Sequence, residues 1–244
     1  ATHVGVATDH IIESFRNDLW IGYKTGAGVE PTLRAQFPIM EDALRALGVA
    51  VWAEIELEAD DALASAAAVA APDPRVERAV ICTPDKDLGQ CVHDPDVIQL
   101  DRRNAKFIDE AAVQAKFGVL PPSIPDWLAL VGDSADGFPG LPGWGAKSAG
   151  AVLGRYPHLE DIPERASAWD VDVRSAARLA ATLLDQRPLA ELFRVLATLR
   201  TDAAVGTVDD WRWVGPTDQF ETWATRLGAP GLARRAERLA ERRT

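Results

Sequence analysis

Carboxylates crowd three short stretches of this 244-residue chain: Glu58-Ala59-Asp60-Asp61, Asp85-Lys86-Asp87 and Asp133-Ser134-Ala135-Asp136. Each lies where a strand pattern ends or a loop begins, and Asp9 ends a strand pattern of its own. Like charges held this close repel one another unless a cation lies between them. Hard divalent ions take oxygen ligands, typically carboxylates, waters and a substrate phosphate. A fold that satisfies all of these acids must bring several strand ends to one place.

The remaining pattern fits that demand. His3 to Thr8 alternates as a strand ending at Asp9, and Val49 to Ile55, Arg78 to Thr83 and Val97 to Leu100 predict three more. Between them, Pro31 to Leu47 has helical spacing (Leu33, Phe37, Met40, Leu44, Leu47) and stops at Gly48. Glu58 to Ala71 is an Ala-rich helix ended by Pro72. Strands alternating with helices imply an α/β fold with a mainly parallel sheet, whose ligands bind beyond the carboxyl ends of the strands. From Asp109 the pattern turns helical: Asp109 to Phe117, Pro125 to Val131, Gly145 to Arg155, Val173 to Gln186, Leu189 to Arg200, Pro216 to Leu227 and Leu232 to Arg243. Trp211 to Trp213 reads as a short strand. The last helix is basic and amphipathic, as a solvated, salt-bridged terminal helix is.

The net charge of −11 is unevenly spread. Through Gly137 there are 23 acidic and 11 basic residues; from Phe138 there are 14 and 15. A nucleic-acid partner usually leaves a basic footprint, and here it is weak, so affinity has to rest on local contacts and bound cations. No apolar run approaches the ~20 residues of a membrane helix. Cys82, in an apolar strand pattern, and Cys91 are expected to be buried free thiols, with the cytoplasm as the default compartment.

Taken singly, the acidic clusters have plain explanations: Glu58, Asp60 and Asp61 complement a helix dipole, and Asp85 and Asp87 form turns. Their conjunction with Asp9, Asp133 and Asp136 at corresponding element ends predicts a two-cation site. Two cations about 3.5–4 Å apart stabilise attacking and leaving oxygens in phosphodiester hydrolysis. Directly behind the last cluster, Gly143-Trp144-Gly145-Ala146-Lys147-Ser148 runs into a helix. Glycines there permit close backbone approach, and the helix amides that follow suit an anion. Trp144 is expected to be a core anchor rather than an exposed DNA contact.

These residues resemble the 5′–3′ exonuclease and flap endonuclease family. The resemblance rests on Glu-Ala-Asp-Asp at Glu58 to Asp61, Thr-Pro-Asp-Lys-Asp-Leu at Thr83 to Leu88, Val-Gly-Asp-x-x-Asp at Val131 to Asp136, and the Gly-x-Gly-x-Lys-Ser-Ala turn at Gly143 to Ala149. Ser14-Phe15-Arg16 and Tyr23-Lys24 look like the segment leading into the family's helical arch. The resemblance implies a PIN-like, mainly parallel sheet core with a helical, SAM-like helix-three-turn-helix part. It implies a nuclease core over 1–124, a DNA-binding region over 125–210 and a helical extension over 211–244. By position, Asp9, Glu58 and Asp60 would hold one metal, and Asp85, Asp87, Asp133 and Asp136 the second, with Asp61 in support. The ions implied are Mg²⁺, replaceable by Mn²⁺. Lys24 would contact the scissile phosphate, Tyr23 would stack on a base, and Arg16 would contact phosphate or form a surface salt bridge. Gly143, Gly145, Lys147 and Ser148 would grip the duplex backbone, with K⁺ as a candidate ion in the turn. The implied partner is DNA with 5′ ends or flaps, bound by a monomer away from membranes, in replication and repair.

Three departures from the family pattern bear on activity. The family's first strand, with its metal-ligand Asp, would precede Ala1, so the chain reads as N-terminally truncated. The Arg usual after Tyr-Lys-Ala-Asn is absent from Tyr23-Lys24-Thr25-Gly26-Ala27, and Gly137 stands where Asn is usual. A branched-DNA binding module that does not cut is therefore the alternative to a nuclease, and a PIN-type ribonuclease a weaker one.

Overall fold

A computed structural model describes residues 1–243; Thr244, the last residue of the expected 211–244 extension, lies outside the described residues. Strand β1 (Gly5–Asp9) leads through the short helices α1 (Arg16–Leu19) and α2 (Pro31–Arg34) to α3 (Phe37–Ala46). The expected helix from Pro31 to Leu47 is thus broken. Pro38 has no N–H for the Arg34 carbonyl and its ring crowds that turn, so the chain restarts at Phe37. Next come β2 (Ala50–Glu54), α4 (Ala59–Ala70), β3 (Ala79–Ile81), β4 (Val97–Asp101) and β5 (Lys106–Ile108), the last without a counterpart in the sequence pattern.

The strands pair as two sheets rather than one. β1 runs parallel to β2 in the register Gly5↔Ala50 to Asp9↔Glu54. β3 runs parallel to β4, and β5 pairs antiparallel to β4. Helix α4 packs across β1, β2 and β3, its Ala62, Ala66 and Val69 meeting Ala7, Ala50, Trp52 and Ala79. Small side chains on that face let the helix lie close to both sheets. The opposite face of β3 is open: Ile81 points inward and is buried, while Val80 is 43 % exposed. Strand alternation puts Cys82 outward with Val80, so this thiol is exposed, contrary to expectation. Cys91 is half-buried, and burial pushes its thiol up to about 12.

The helical part comprises α5 (Glu110–Phe117), α6 (Ile124–Val131), α7 (Ala146–Leu153), α8 (Ala176–Asp185) and α9 (Arg187–Ala197). Asp109 caps α5 by accepting from the Ala112 amide, and Gly118 ends the helix at φ +77°. Helices α6, α7 and α9 enclose the largest core, where Leu128, Leu130, Val152, Leu153 and Phe193 are essentially inaccessible. Each such side chain contributes about 1.5–3 kcal/mol by leaving water. Trp144 is buried in this core beside Trp169, as expected of an anchor. Helices α10 (Phe220–Arg226) and α11 (Gly231–Glu241) return to the first half, packing with Trp213 around Ala46 and Leu47. The Trp211 to Trp213 stretch is not the expected strand: it leaves a 3-10 turn over Val208–Trp211 and pairs with the N-terminus by a single bridge, Val4 N donating to Trp211 O and Trp213 N to Thr2 O.

Two hydrogen bonds tie the segment after α1 to the acidic loop that carries Asp136. Trp20 Nε1 donates to Gly137 O at 3.0 Å, and Lys24 N donates to Asp136 O at 2.9 Å. Gly137 has φ +85°, and a Cβ there would lie 2.0 Å from Gly22 O. A residue without a Cβ is what admits the 22–24 segment at this approach and adopts this φ without strain. Replacing Gly137 with Ala is expected to cost about 2 kcal/mol or more, from left-handed strain plus displacement of the 22–24 backbone, read as a lower urea midpoint.

Candidate metal centre

The carboxyl ends of β1, β2 and β3 converge on the loop between α6 and α7. Asp9 closes β1, and its Oδ1 accepts from the Ala59 amide at 2.7 Å, which brings it to the first turn of α4. Glu58 is the N-cap of α4 and Asp60 lies in its first turn. Asp85 is on the loop after β3, and Asp87 opens the 3-10 turn that follows. Asp133 and Asp136 belong to a tight loop in which Asp133 N donates to Phe138 O, and Gly137 N and Phe138 N donate to Asp133 O. That loop is why two acids three residues apart share one side.

Carboxylate oxygens of Asp87, Asp133 and Asp136 all lie within 4.8 Å of one another. Asp87 is 5 % exposed, and its Oδ1 is buried without a hydrogen-bond partner. A buried orphan acceptor facing two further carboxylates is costly in a protein interior and is what a divalent cation satisfies. Burial pushes the Asp87 carboxyl up to about 8, with Asp85, Asp136 and Asp133 adding to the shift. Burial likewise raises Asp60 to about 7, with Asp85 adding and Lys24 opposing, and raises Asp9 and Asp136. Asp9, Glu58 and Asp85 all act on Asp60, so the acids share one field.

Two ammonium groups reach into this field. Lys24 Nζ bridges Glu58 Oε2 at 2.7 Å and Asp136 Oδ1 at 3.0 Å. Burial works against its charge, but Glu58 and Asp136 outweigh that and hold it protonated. Lys86 pairs with Asp133 and lies 4.0 Å from Asp87. Lys86 was given no role from sequence, although its place between Asp85 and Asp87 is the signal. Seven carboxylates (Asp9, Glu58, Asp60, Asp85, Asp87, Asp133 and Asp136) face these two cations, so the centre stays strongly negative.

Arg16, Tyr23 and Asp61 sit behind this centre. Arg16 is 1 % exposed, neither a surface salt bridge nor in reach of a phosphate. Its Nη1 and Nη2 each donate to Asp61 at 2.7 Å, Nη1 donates to Glu58 at 3.2 Å, and Nε and Nη2 donate to Leu196 O and Thr198 O. Asp61 is fully buried by these contacts and by the Arg200 amide. Tyr23 is 3 % exposed, its hydroxyl 3.3 Å from Glu58 Oε2, so the ring is packed rather than offered to a base. Both expectations erred for one reason: sequence spacing does not tell which face of a loop an aromatic or an Arg will turn inward. Ser14, named in sequence only as part of its segment, also serves Glu58, its Oγ donating at 2.6 Å.

The turn expected to meet the duplex follows directly. Gly143 has φ +86°, Gly145 is the N-cap of α7, and the Ser148 hydroxyl accepts from the Gly145 amide at 3.0 Å. Lys147 is exposed.

Comparison with known proteins agrees with this layout. The chain matches family models described as 5′-3′ exonuclease, N-terminal resolvase-like domain, over residues 1–118, and 5′-3′ exonuclease, C-terminal SAM fold, over 119–219. It is 34 % identical over 205 residues to flap endonuclease Xni of Edwardsiella ictaluri, covering 81 % of this chain and 75 % of that protein. It is 32 % identical over 206 residues to DNA polymerase I of Mycobacterium leprae, covering 82 % of this chain and 22 % of the polymerase. The chain therefore spans about a fifth of the length of that relative. Among solved structures, the T5 D15 protein co-crystallised with metal ions superposes with a TM-score of 0.66 at 18 % identity, covering 93 % of this chain and 85 % of that one. The catalytic core of Rad2 in complex with a DNA substrate gives 0.58 at 15 %, covering 94 % and 74 %. Both likenesses establish the fold.

Two outcomes are expected. Truncating Arg16 to Ala leaves Asp61 buried and unpaired and is expected to cost about 3–5 kcal/mol in chemical denaturation. The second concerns pH. Asp60 and Asp87 have a reference value of 3.8, against about 7 and about 8 in the fold. Between those limits the native state holds protons that the unfolded chain has released, so stability present at low pH is lost as pH rises toward 8. The melting temperature of the metal-free protein is expected to fall between about pH 5 and pH 8.5, and Mg²⁺ or Mn²⁺ to raise it more at the upper end.

Proposed function

The chain belongs to the 5′–3′ exonuclease family, and on that premise we propose that it hydrolyses DNA phosphodiester bonds at 5′ ends or 5′ flaps with two divalent cations, as a monomer serving cytoplasmic DNA replication and repair. The observation that carries this reading is the Asp87, Asp133 and Asp136 cluster with its orphan Asp87 oxygen, next to a lysine that bridges Glu58 and Asp136. Asp85, Asp87, Asp133 and Asp136 are the residues that would hold one ion, and Asp9, Glu58 and Asp60 the other. Mg²⁺ is the ion proposed, with Mn²⁺ as a substitute. When bound, the pair supplies charge stabilisation to the attacking and leaving oxygens of the displacement.

The chain's own residues do the rest. Lys24 is poised to exchange its contacts with Glu58 and Asp136 for the scissile phosphate once cations neutralise those acids. Arg16, Tyr23 and Ser14 hold Glu58 from behind, so the α4 N-terminus keeps its geometry while charge is redistributed. Gly143, Gly145, Lys147 and Ser148 take the duplex backbone, with K⁺ as the monovalent ion proposed for the turn. Residues 1–124 then serve as the nuclease core, 125–210 as the DNA-binding region and 211–244 as an extension packed back on the core.

Asp85→Ala and Asp133→Ala are each expected to lower Mg²⁺-dependent cleavage of 5′-flap DNA by about two orders of magnitude or more, with duplex binding retained. Undiminished cleavage in both variants would refute the metal assignment. Cleavage of single-stranded RNA in preference to flap DNA would refute the substrate assignment.

A further inference from the structure

On the face of β1 turned away from α4, one buried carboxylate grips both sequence neighbours of Asp9. Ala7 meets α4, and strand alternation puts Asp9 on that same side, where its Oδ1 takes the Ala59 amide. Thr8 and His10 therefore turn the other way, toward α3. Glu41, midway along α3, is 1 % exposed. Its Oε1 accepts from Thr8 Oγ1 at 2.8 Å, and His10 Nδ1 lies 3.1 Å from Oε1 and 2.9 Å from Oε2. Facing a carboxylate that already accepts from Thr8, the ring nitrogen is the donor. Arg45, one turn on, comes within 3.8 Å of Oε2.

Taking a carboxylate out of water costs several kcal/mol unless hydrogen bonds offset it. The other buried positions of α3 are Ala43 and Ala46, so packing alone asks only for small apolar side chains on this face. What Glu41 adds is position. Thr8 and His10 flank Asp9, and holding both from behind stops the strand end from twisting or sliding. The Asp9 side chain needs such support. Ala59 N is its one hydrogen-bond partner among the described residues, and no ammonium or guanidinium pairs with it there. Its orientation toward Glu58 and Asp60 therefore depends on the backbone that carries it. Helix α3 also follows directly on the segment that bears Lys24, so the same contact ties that segment to the end of β1.

We propose that Glu41 is a positioning residue for the metal centre: by holding Thr8 and His10 it fixes the orientation of Asp9 toward the ion that Asp9, Glu58 and Asp60 would share. This rests on the reading of those acids as metal ligands and adds a residue that touches neither metal nor substrate. Groups that orient a ligand from behind change metal affinity by about 10- to 100-fold when they are removed.

The test is Mn²⁺ binding to the full chain without DNA, counted from the electron paramagnetic resonance signal of the free ion. Glu41→Ala is expected to weaken uptake of one ion by about 10- to 100-fold. Glu41→Gln, whose amide oxygen still accepts from Thr8 or His10, is expected to restore affinity to near that of the parent. Thr8→Val, close to isosteric, is expected to weaken uptake in the same direction by a smaller factor. Asp126→Ala controls for lost stability alone. Asp126 is likewise a buried carboxylate, 2 % exposed and held by His158 and Arg194, but it lies at the far end of α6 from the acidic loop. Its removal is expected to lower the melting temperature in EDTA, as Glu41→Ala does, and to leave Mn²⁺ affinity unchanged. Parental affinity in Glu41→Ala and Thr8→Val, or in Thr8→Val alone should Glu41→Ala not fold, would overturn the proposal, as would an equal loss in Asp126→Ala. A parent that takes up no Mn²⁺ would overturn the metal reading with it. A parent that binds Mn²⁺ with the expected variant effects yet does not cut 5′-flap DNA would overturn the nuclease reading and leave the role of Glu41 standing.

Discussion

A single buried guanidinium holds the acidic centre to the rest of the molecule. Arg16 opens α1, its partners Glu58 and Asp61 open α4, and its carbonyl acceptors end α9. All five of its N–H groups have acceptors, the condition under which burying an ion pair is tolerable. Three segments far apart in sequence are thereby fixed at one point. The α4 N-terminus, which carries Glu58 and Asp60, cannot shift without breaking a charge pair inaccessible to water. Burial works against the Arg16 charge, but Asp61 and Glu58 outweigh it and raise its pKa.

In front of that anchor the electrostatics reverse. Carboxylates outnumber cations, several are mostly buried, and their proton affinities rise in consequence. Burial and mutual repulsion both oppose ionisation of the centre, an arrangement that bound cations relieve. Lys24 and Lys86 offset part of the repulsion. Both are on flexible stems, so either can yield its place when another cation arrives.

Much of this was legible in the residues. Acids at strand ends and a Gly-rich turn behind the last of them required their elements to converge, and the folded chain brings Asp87, Asp133 and Asp136 within contact distance of one ion. Helix and strand positions followed from periodicity, except where Pro38 split one helix, where β5 was too short to leave a pattern, and where Trp211 to Trp213 left a 3-10 turn and formed a single bridge rather than a strand. Orientation was not legible. Arg16 and Tyr23 looked like surface contacts because charge and aromaticity suggest ligands, whereas both face inward. Cys82 looked buried because its run is apolar, yet alternation turns it toward an uncovered face.

The acidic clusters and their order by themselves determined that this chain must gather carboxylates at strand ends, because no solvated arrangement requires so many like charges at corresponding positions. Tertiary structure decided which acids face one another and which are structural. Asp61 lies next to Asp60 in sequence, but one helical step of about 100° turns it into Arg16 rather than toward the shared field. It also decided that the start of α8 lines one cleft with the turn before α7, a juxtaposition that no local pattern could announce. Spacing along a chain specifies what is near in sequence; packing specifies what shares a surface.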